Sequence, residues 1–167
     1  MKIITFVISI LVMTISSFGQ RAPASSSARQ LEFIEIKYGV AKVVRESSEQ
    51  FKNSPSGERG NLSEFSIIKI TDSVQAELKA NFGVEYMIKA MDTVNIDVEI
   101  EWIFPEKIKN EAGKKFKSIK YTTQRPTNIE TASSYSLDKD YEMVKGKWKM
   151  NIYVWGKLLY TRTFVLY

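Results

Sequence analysis

The stretch that decides the fold is Asn-Ile-Asp-Val-Glu-Ile-Glu-Trp-Ile-Phe, residues 95–104. Apolar side chains at positions 96, 98, 100 and 102 alternate there with Asp97, Glu99 and Glu101. Successive side chains of a β-strand point to opposite faces, so this alternation predicts a strand with one buried and one solvated face. Such a strand needs partners on both sides, and the flanking sequence predicts them.

The same period of two recurs along most of the chain. It predicts strands over residues 31–45, 65–70, 82–90 and 116–124, a weaker strand over 134–141, and a last hairpin of 148–154 and 158–167 that turns at Gly156 and Lys157. Residues 47–63 and 105–115 are predicted to be loops, and only 73–81 has helical propensity. Seven or eight short strands without intervening helices predict a two-layer antiparallel sandwich, with a barrel as the alternative.

The N-terminus predicts export. Lys2 precedes an apolar run at residues 3–15, and small residues at Ser17 and Gly19 fit a signal-peptidase site. This run is shorter than the about 20 residues that a membrane-spanning helix needs. We therefore expect a cleaved signal peptide (residues 1–19), a flexible leader (20–30) and one domain (31–167) without a transmembrane segment. The mature protein is expected to be periplasmic or secreted.

The composition excludes several kinds of chemistry. The chain has no cysteine and no histidine, which excludes disulfides, thiolate metal sites and both Ser-His-Asp and Cys-His catalysis. Its 24 basic and 19 acidic residues give a net charge of +5, a modest excess that permits contact with an anionic surface without requiring it. We expect a protein that is not an enzyme, uses no cofactor and does not bind nucleic acid.

Two motifs match known chemistry only in part. Asp97, Glu99 and Glu101 would place three carboxylates on one strand face, and such groups act as acid and base in glycosidases or bind calcium. We interpret the row as a solvated face, because an open sheet has no pocket to separate the pKa values of its carboxyls. Ser66 and Lys69 match the S-x-x-K motif of penicillin-interacting serine enzymes, but a strand points residues three apart to opposite sides.

Two further features are candidate interaction sites. One is the basic stretch 107–125, which is either a patch for lipid or acidic glycan or an edge protected against aggregation. Its candidate residues are Lys107, Lys109, Lys114, Lys115, Lys117 and Lys120. The other is Trp155, out of phase with the apolar side of its strand. It is either exposed and able to stack on a sugar or anchor a partner, or it covers the end of the sandwich.

Several pieces, in this order, resemble a family of exported bacterial domains, domain-of-unknown-function family 3859. They are Tyr-Gly at 38–39, Asn-Phe-Gly-Val-Glu-Tyr at 81–86, Trp-Ile-Phe-Pro at 102–105 and Tyr-Glu-Met-Val-Lys-Gly-Lys-Trp at 141–148, followed by Phe164 and Leu166. The resemblance covers nearly all of the predicted domain and implies export and an immunoglobulin-like sandwich. It implies no catalytic residues. The family often has two prolines where this chain has only Pro105.

Taken together, these features predict an exported, non-enzymatic, immunoglobulin-like module that binds a protein partner in the cell envelope. Binding of lipid or acidic glycan through the 107–125 face is the first alternative. A hydrolase that uses the carboxylates of residues 97, 99 and 101 is a second, less favoured alternative.

Overall fold

The computed structural model describes residues 30–167, so the predicted signal peptide and the predicted leader up to residue 29 lie outside the described residues. Nine strands form in the described part. They are β1 (Glu32–Gln50), β2 (Glu58–Ile70), β3 (Ser73–Val74), β4 (Asn81–Lys89), β5 (Asn95–Lys109), β6 (Lys115–Pro126), β7 (Thr131–Ser136), β8 (Gly146–Val154) and β9 (Lys157–Leu166). A 3-10 helix (Asp140–Glu142) lies between β7 and β8.

The strands form two sheets, in the orders β2-β1-β4-β7 and β3-β9-β8-β5-β6. The sheets are separate and enclose one core, which confirms the predicted sandwich over the barrel. All the pairings are antiparallel except that of the two-residue β3 with β9, which is parallel. Among the helices of residues 30–167, none has the length and apolar character needed to span a membrane.

Aromatic side chains dominate the core. The ring of Phe82 on β4 lies 5.5 Å from that of Trp102, 5.8 Å from Trp148 and 5.2 Å from Phe164, all in edge-on arrangements. Such contacts between ring edge and ring face are favourable beyond the apolar area that they bury. Trp148 is fully buried, and its indole N–H donates to the Val144 carbonyl at 2.7 Å. The aromatic rings therefore join the two sheets at the centre of the sandwich.

The predicted loop at 47–63 is wrong. β1 continues to Gln50 and β2 begins at Glu58, with register pairs that include Ser47 with Asn61. Only residues 51–57 form the turn. Most side chains of this hairpin are exposed on both faces, so its backbone pairs without the alternating apolar pattern that marks a half-buried strand.

The predicted loop at 105–115 is also wrong in extent. β5 continues through Pro105 to Lys109, and the connection to β6 is limited to residues 110–114. The pairing with β6 shifts register between Ile103 and Ile108, and this irregularity accommodates a proline within the strand. Lys117 donates to the carbonyls of Phe104 and Pro105, each at 2.8 Å, and thereby satisfies backbone groups at the irregular site.

Three smaller predictions also differ from the structure. Residues 73–81 contain β3 and turns in place of a helix, because Val74 is buried in the core and the backbone of this segment hydrogen-bonds to β9. The last hairpin turns at Trp155 and Gly156, one residue earlier than predicted, since Val154 pairs with Lys157. The weak strand predicted over 134–141 is β7, which ends at Ser136.

The β1–β2 hairpin extends beyond its own sheet. Only Gly39 and Val40 of β1 pair with both neighbours, because residues before them pair with β4 and residues after them pair with β2. We call residues 41–70 the arm. Its far part contacts distant elements, since Arg45 pairs with Asp138 at 2.8 Å and the carbonyl of Pro55 accepts the Tyr141 hydroxyl at 3.1 Å.

The opposite side of the sandwich, between β1 and β9, is closed by polar and aromatic contacts. The Arg162 Nε–H donates to Glu35 at 3.1 Å, and the Tyr160 hydroxyl also donates to this carboxylate. The guanidinium of Arg162 lies 3.6 Å from the ring centroid of Tyr38, and Phe33 stacks on Tyr160 at 4.2 Å. These contacts join the two sheets along β1 and β9.

One buried carboxylate fixes the chain between β7 and β8. Glu142 is almost fully buried and accepts the Tyr135 hydroxyl at 2.7 Å and the backbone N–H groups of Asp138 and Lys139 at 3.0 Å each. Burial raises the pKa of Glu142, although these three hydrogen bonds oppose the shift. The carboxylate therefore acts as a shared acceptor for three donors.

We expect Glu142→Ala to lower the free energy of unfolding by about 2–3 kcal/mol, because three buried donors lose their acceptor. Glu142→Gln keeps an acceptor and removes the buried charge, so its loss should be smaller. Because the pKa of Glu142 is raised by folding, the contribution of this group to stability is full below the unfolded carboxyl pKa and is lost as pH rises through the folded pKa, so the advantage of wild type over Glu142→Gln should shrink between pH 4 and pH 7. Urea unfolding at both pH values measures this. Equal stability of Glu142→Ala and wild type would contradict the assignment.

Candidate functional site

The acidic row lies on the outer face of the β3-β9-β8-β5-β6 sheet. Glu99 pairs with Lys120 at 2.7 Å, and Glu101 accepts from the Tyr153 hydroxyl and the Asn151 amide, both at 2.9 Å. Asp97 is exposed. Within residues 30–167, no three acidic side chains come close enough together to hold a metal ion. The row is thus a strand face whose carboxylates bind neighbouring side chains.

Half of the candidate lysines are engaged in contacts within the fold. Lys117 donates to two carbonyls of β5, as described above, and Lys114 donates to the Lys52 carbonyl at 3.0 Å. Lys120 pairs with Glu99 and lies 4.5 Å from the ring centroid of Tyr153. The hydrogen bond to Glu99 raises the pKa of Lys120. The other three, Lys107, Lys109 and Lys115, are exposed at the end of the β5–β6 hairpin.

Trp155 is exposed, with 58% of its surface accessible. It forms a two-residue turn with Gly156, and both have positive φ, +51° and +74°. This is the left-handed region that the twist of a tight hairpin requires, and Gly, Asn or Asp normally occupy its first position. Tryptophan is unfavourable in this conformation, and burial of its side chain offsets little of that cost because the indole is mostly exposed.

Trp155 belongs to one end of the sandwich that is rich in exposed apolar side chains. We call residues 90–94, 127–130 and 155–158 the loop end, because these connections join strand ends that the register places together. Its exposed apolar residues are Met91, Val94, Ile129, Trp155 and Leu158. The loops are held by Thr127, whose hydroxyl donates to the Asp92 carbonyl at 2.7 Å.

A groove of about 570 Å³ lies between the arm and the sandwich, and the sequence analysis did not find it. Residues 59–65 of β2 form one wall, and the other is formed by Tyr121, Thr123 and Arg125 of β6 together with residues 130–134, where β7 begins. No hydrogen-bonded ladder joins these three strands in the part of the chain that the structure describes. Strands far apart in sequence build the groove, so no local pattern reveals it.

The groove contains two arginines in different electrostatic situations. Arg59 pairs with Glu49 at 2.7 Å and lies 5.2 Å from the ring centroid of Tyr121. Arg125 donates only one hydrogen bond among the described residues, to the Ala132 carbonyl at 3.3 Å, and its shielded Nε–H has no acceptor there. Burial raises the pKa of Tyr121 to about 12, so this phenol stays neutral beside them at physiological pH.

The chain belongs to the family described as a domain of unknown function (DUF3859), whose model matches residues 29–166. The crystal structure of an immunoglobulin-like protein from Pseudomonas aeruginosa has a similar fold, with a TM-score of 0.60 and 18% sequence identity. The match covers 84% of this chain and 99% of that chain. None of the curated proteins matches the chain. These findings confirm the resemblance and the immunoglobulin-like sandwich; at this identity, the structural match shows the fold alone.

We expect Trp155→Asn to leave the free energy of unfolding unchanged or to raise it by about 0.5–1 kcal/mol, because asparagine adopts the left-handed conformation more readily. Gly156→Ala is the matched control and should destabilise the same turn, since alanine is strained at positive φ. Urea unfolding of both variants measures the effect. A loss above 1 kcal/mol for Trp155→Asn would instead mean that the indole covers the end of the sandwich.

Proposed function

We propose that this member of the family is an exported, non-enzymatic module that binds a protein partner in the cell envelope through its loop end. The observation that carries the proposal is Trp155, an exposed indole held in a backbone conformation that disfavours it. A residue that costs stability and covers little of the core contributes nothing evident to folding. Its presence at this position is explained if the indole is buried by a partner.

The surroundings of Trp155 support a protein partner. Met91 has 95% of its surface exposed, and Leu158 lies three residues after Trp155. Large apolar and aromatic side chains of this kind form the centre of protein interfaces, where burial of tryptophan contributes more than that of most residues. The loop end contains Asp92, Glu130 and Lys157, so its formal net charge is −1 and does not attract an anionic membrane surface. A protein is therefore a better partner for this end than a lipid bilayer.

The other two candidate functions have weaker support. A polyanion site on the 107–125 face would rely on lysines of which Lys114, Lys117 and Lys120 already bind groups of the fold. A hydrolase would need two carboxyls with separated pKa values in a pocket, whereas Glu99 and Glu101 lie on an open sheet face and bind Lys120 and Tyr153. Both alternatives therefore have less support than binding through the loop end.

We expect the photoreactive residue benzoylphenylalanine at position 155 to cross-link a discrete protein when cells are irradiated intact. Tyr167 is the matched control position, because it has the same exposed fraction as Trp155 and lies at the far end of β9. The adduct at position 155, identified by mass spectrometry, should be absent at position 167. Equal labelling at both positions, or labelling of lipid alone at position 155, would contradict the proposal.

Once that partner is purified, Trp155→Asn should weaken its binding at least tenfold, because removal of a central aromatic anchor costs about 2 kcal/mol or more. The affinity should change little between 50 and 500 mM salt, since apolar burial is not screened as exposed charges are. Titration calorimetry measures both effects. Unaltered affinity of the variant would place the interface elsewhere.

A further inference from the structure

We propose that the groove between the arm and the sandwich binds an extended, acidic peptide segment of a protein. The peptide adds as a strand along the edge of β7 and places one carboxylate on Arg125. This site is distinct from the loop end and does not depend on Trp155. Three features of the groove support the proposal: its strand edges, the unpaired guanidinium and the occupied aromatic face.

The edge of β7 presents backbone groups to the groove. β7 pairs with β4 on one side, and no strand of residues 30–167 pairs with the other. The Ala132 carbonyl points away from β4, because it accepts from Arg125 of β6. Inward and outward peptide groups alternate along an antiparallel edge strand, so those of Ser134 face the groove as well. An extended peptide can pair with such an edge by main-chain hydrogen bonds.

The requirement for an acidic residue comes from Arg125. No carboxylate of the described residues lies within 4.0 Å of its guanidinium, and its Nε–H has no acceptor there. The guanidinium of Arg125 therefore lines the groove without a neutralising carboxylate, and the carboxylate of a bound peptide would supply one through a charge-assisted hydrogen bond. Arg59 does not have this requirement, because Glu49 already neutralises it.

The same groove is poorly suited to sugars and to highly charged polymers. Two aromatic residues, Phe65 and Tyr121, line the groove, and the ring of Tyr121 is already occupied, because Phe51 lies edge-on to it at 6.0 Å and Arg59 lies over it. Exposed Glu64 and Glu130 on the groove walls repel polyanions. A peptide with a single well-placed carboxylate fits both the unpaired cation and the acidic rim.

The test is selection of a phage-displayed library of random 12-residue peptides on the purified protein. A synthetic copy of the enriched sequence is then titrated by fluorescence polarisation. We expect an enriched sequence that alternates β-branched or aromatic residues and contains Asp or Glu. Replacing that acid by its amide should weaken binding about tenfold, and so should Arg125→Gln, with Arg125→Lys between the two. Trp155→Asn should bind the peptide as wild type does, which separates this site from the proposed function.

Ser134→Pro tests the strand addition, because it removes an N–H that faces the groove and leaves the pairing with β4 intact. We expect this variant to lose the peptide, and we expect the peptide to slow hydrogen exchange at the amides of Ala132 and Ser134 in wild type. If Ser134→Pro does not fold, the hydrogen-exchange measurement on wild type tests the strand addition instead. Absence of any enriched peptide, binding that survives both Arg125→Gln and Ser134→Pro, or unchanged exchange at these amides would overturn the proposal.

Discussion

The contact between the two sheets through the ring of Phe82 is the constraint on which the rest of the structure depends. Trp102, Trp148 and Phe164 come from three strands of the opposite sheet and all meet this ring at its edge or face. Rings packed at such angles fill space in only a few ways, so they fix how the sheets face each other. Gly146, whose φ of +123° disfavours other residues, allows the chain to reach Trp148 while packing against Pro105.

A sandwich closed at its centre still has two open sides, and this protein closes them differently. Between β1 and β9, the carboxylate of Glu35 binds Arg162 and Tyr160 and joins the sheets directly. Between β6 and β7, the arm lies across the gap, and the N–H of Ile67 donates to Glu85 on β4 at 3.0 Å. A covering element attached at separate points leaves space beneath it, which explains the groove between the arm and the sandwich.

The sequence predicted the sandwich because its core strands are buried on one face. Ile96, Val98 and Ile100 are all buried, as the alternation in residues 95–104 required. The sequence did not predict the arm, because its strands pair through their backbones without alternating apolar and polar side chains. It also did not predict a strand that continues through a residue unfavourable for strands, where a side chain from another strand satisfies the backbone. Pro105 illustrates the second case, because the ammonium of Lys117 satisfies carbonyls at an irregular position that local propensity marks as a break.

The candidate sites also differ in whether they depend on local sequence or on contacts between distant segments. The sequence allowed Trp155 to be either exposed or packed over the end of the sandwich, because it lies out of step with the buried side chains of β8. The structure shows it exposed, in a turn formed by residues adjacent in sequence. The groove depends on residues 59–65 meeting residues 121–134, a contact that the arm alone creates. The importance of Arg125 could not be inferred from its place in a basic stretch, since its neighbours Lys117 and Lys120 are paired within the fold.

An unsatisfied group indicates a binding site only where a ligand can reach it. The indole N–H of Trp102 also has no acceptor among the described residues, but it is sealed within the aromatic core, so its cost belongs to the packing of the sheets. The Nε–H of Arg125 is shielded as well, but the guanidinium that carries it lines an open groove. The buried carboxylate of Glu142, by contrast, has its hydrogen-bonding capacity satisfied, because it accepts from three donors. The exposed indole of Trp155 and the unpaired guanidinium of Arg125 are two departures that folding does not explain, and the two proposed binding sites would account for them.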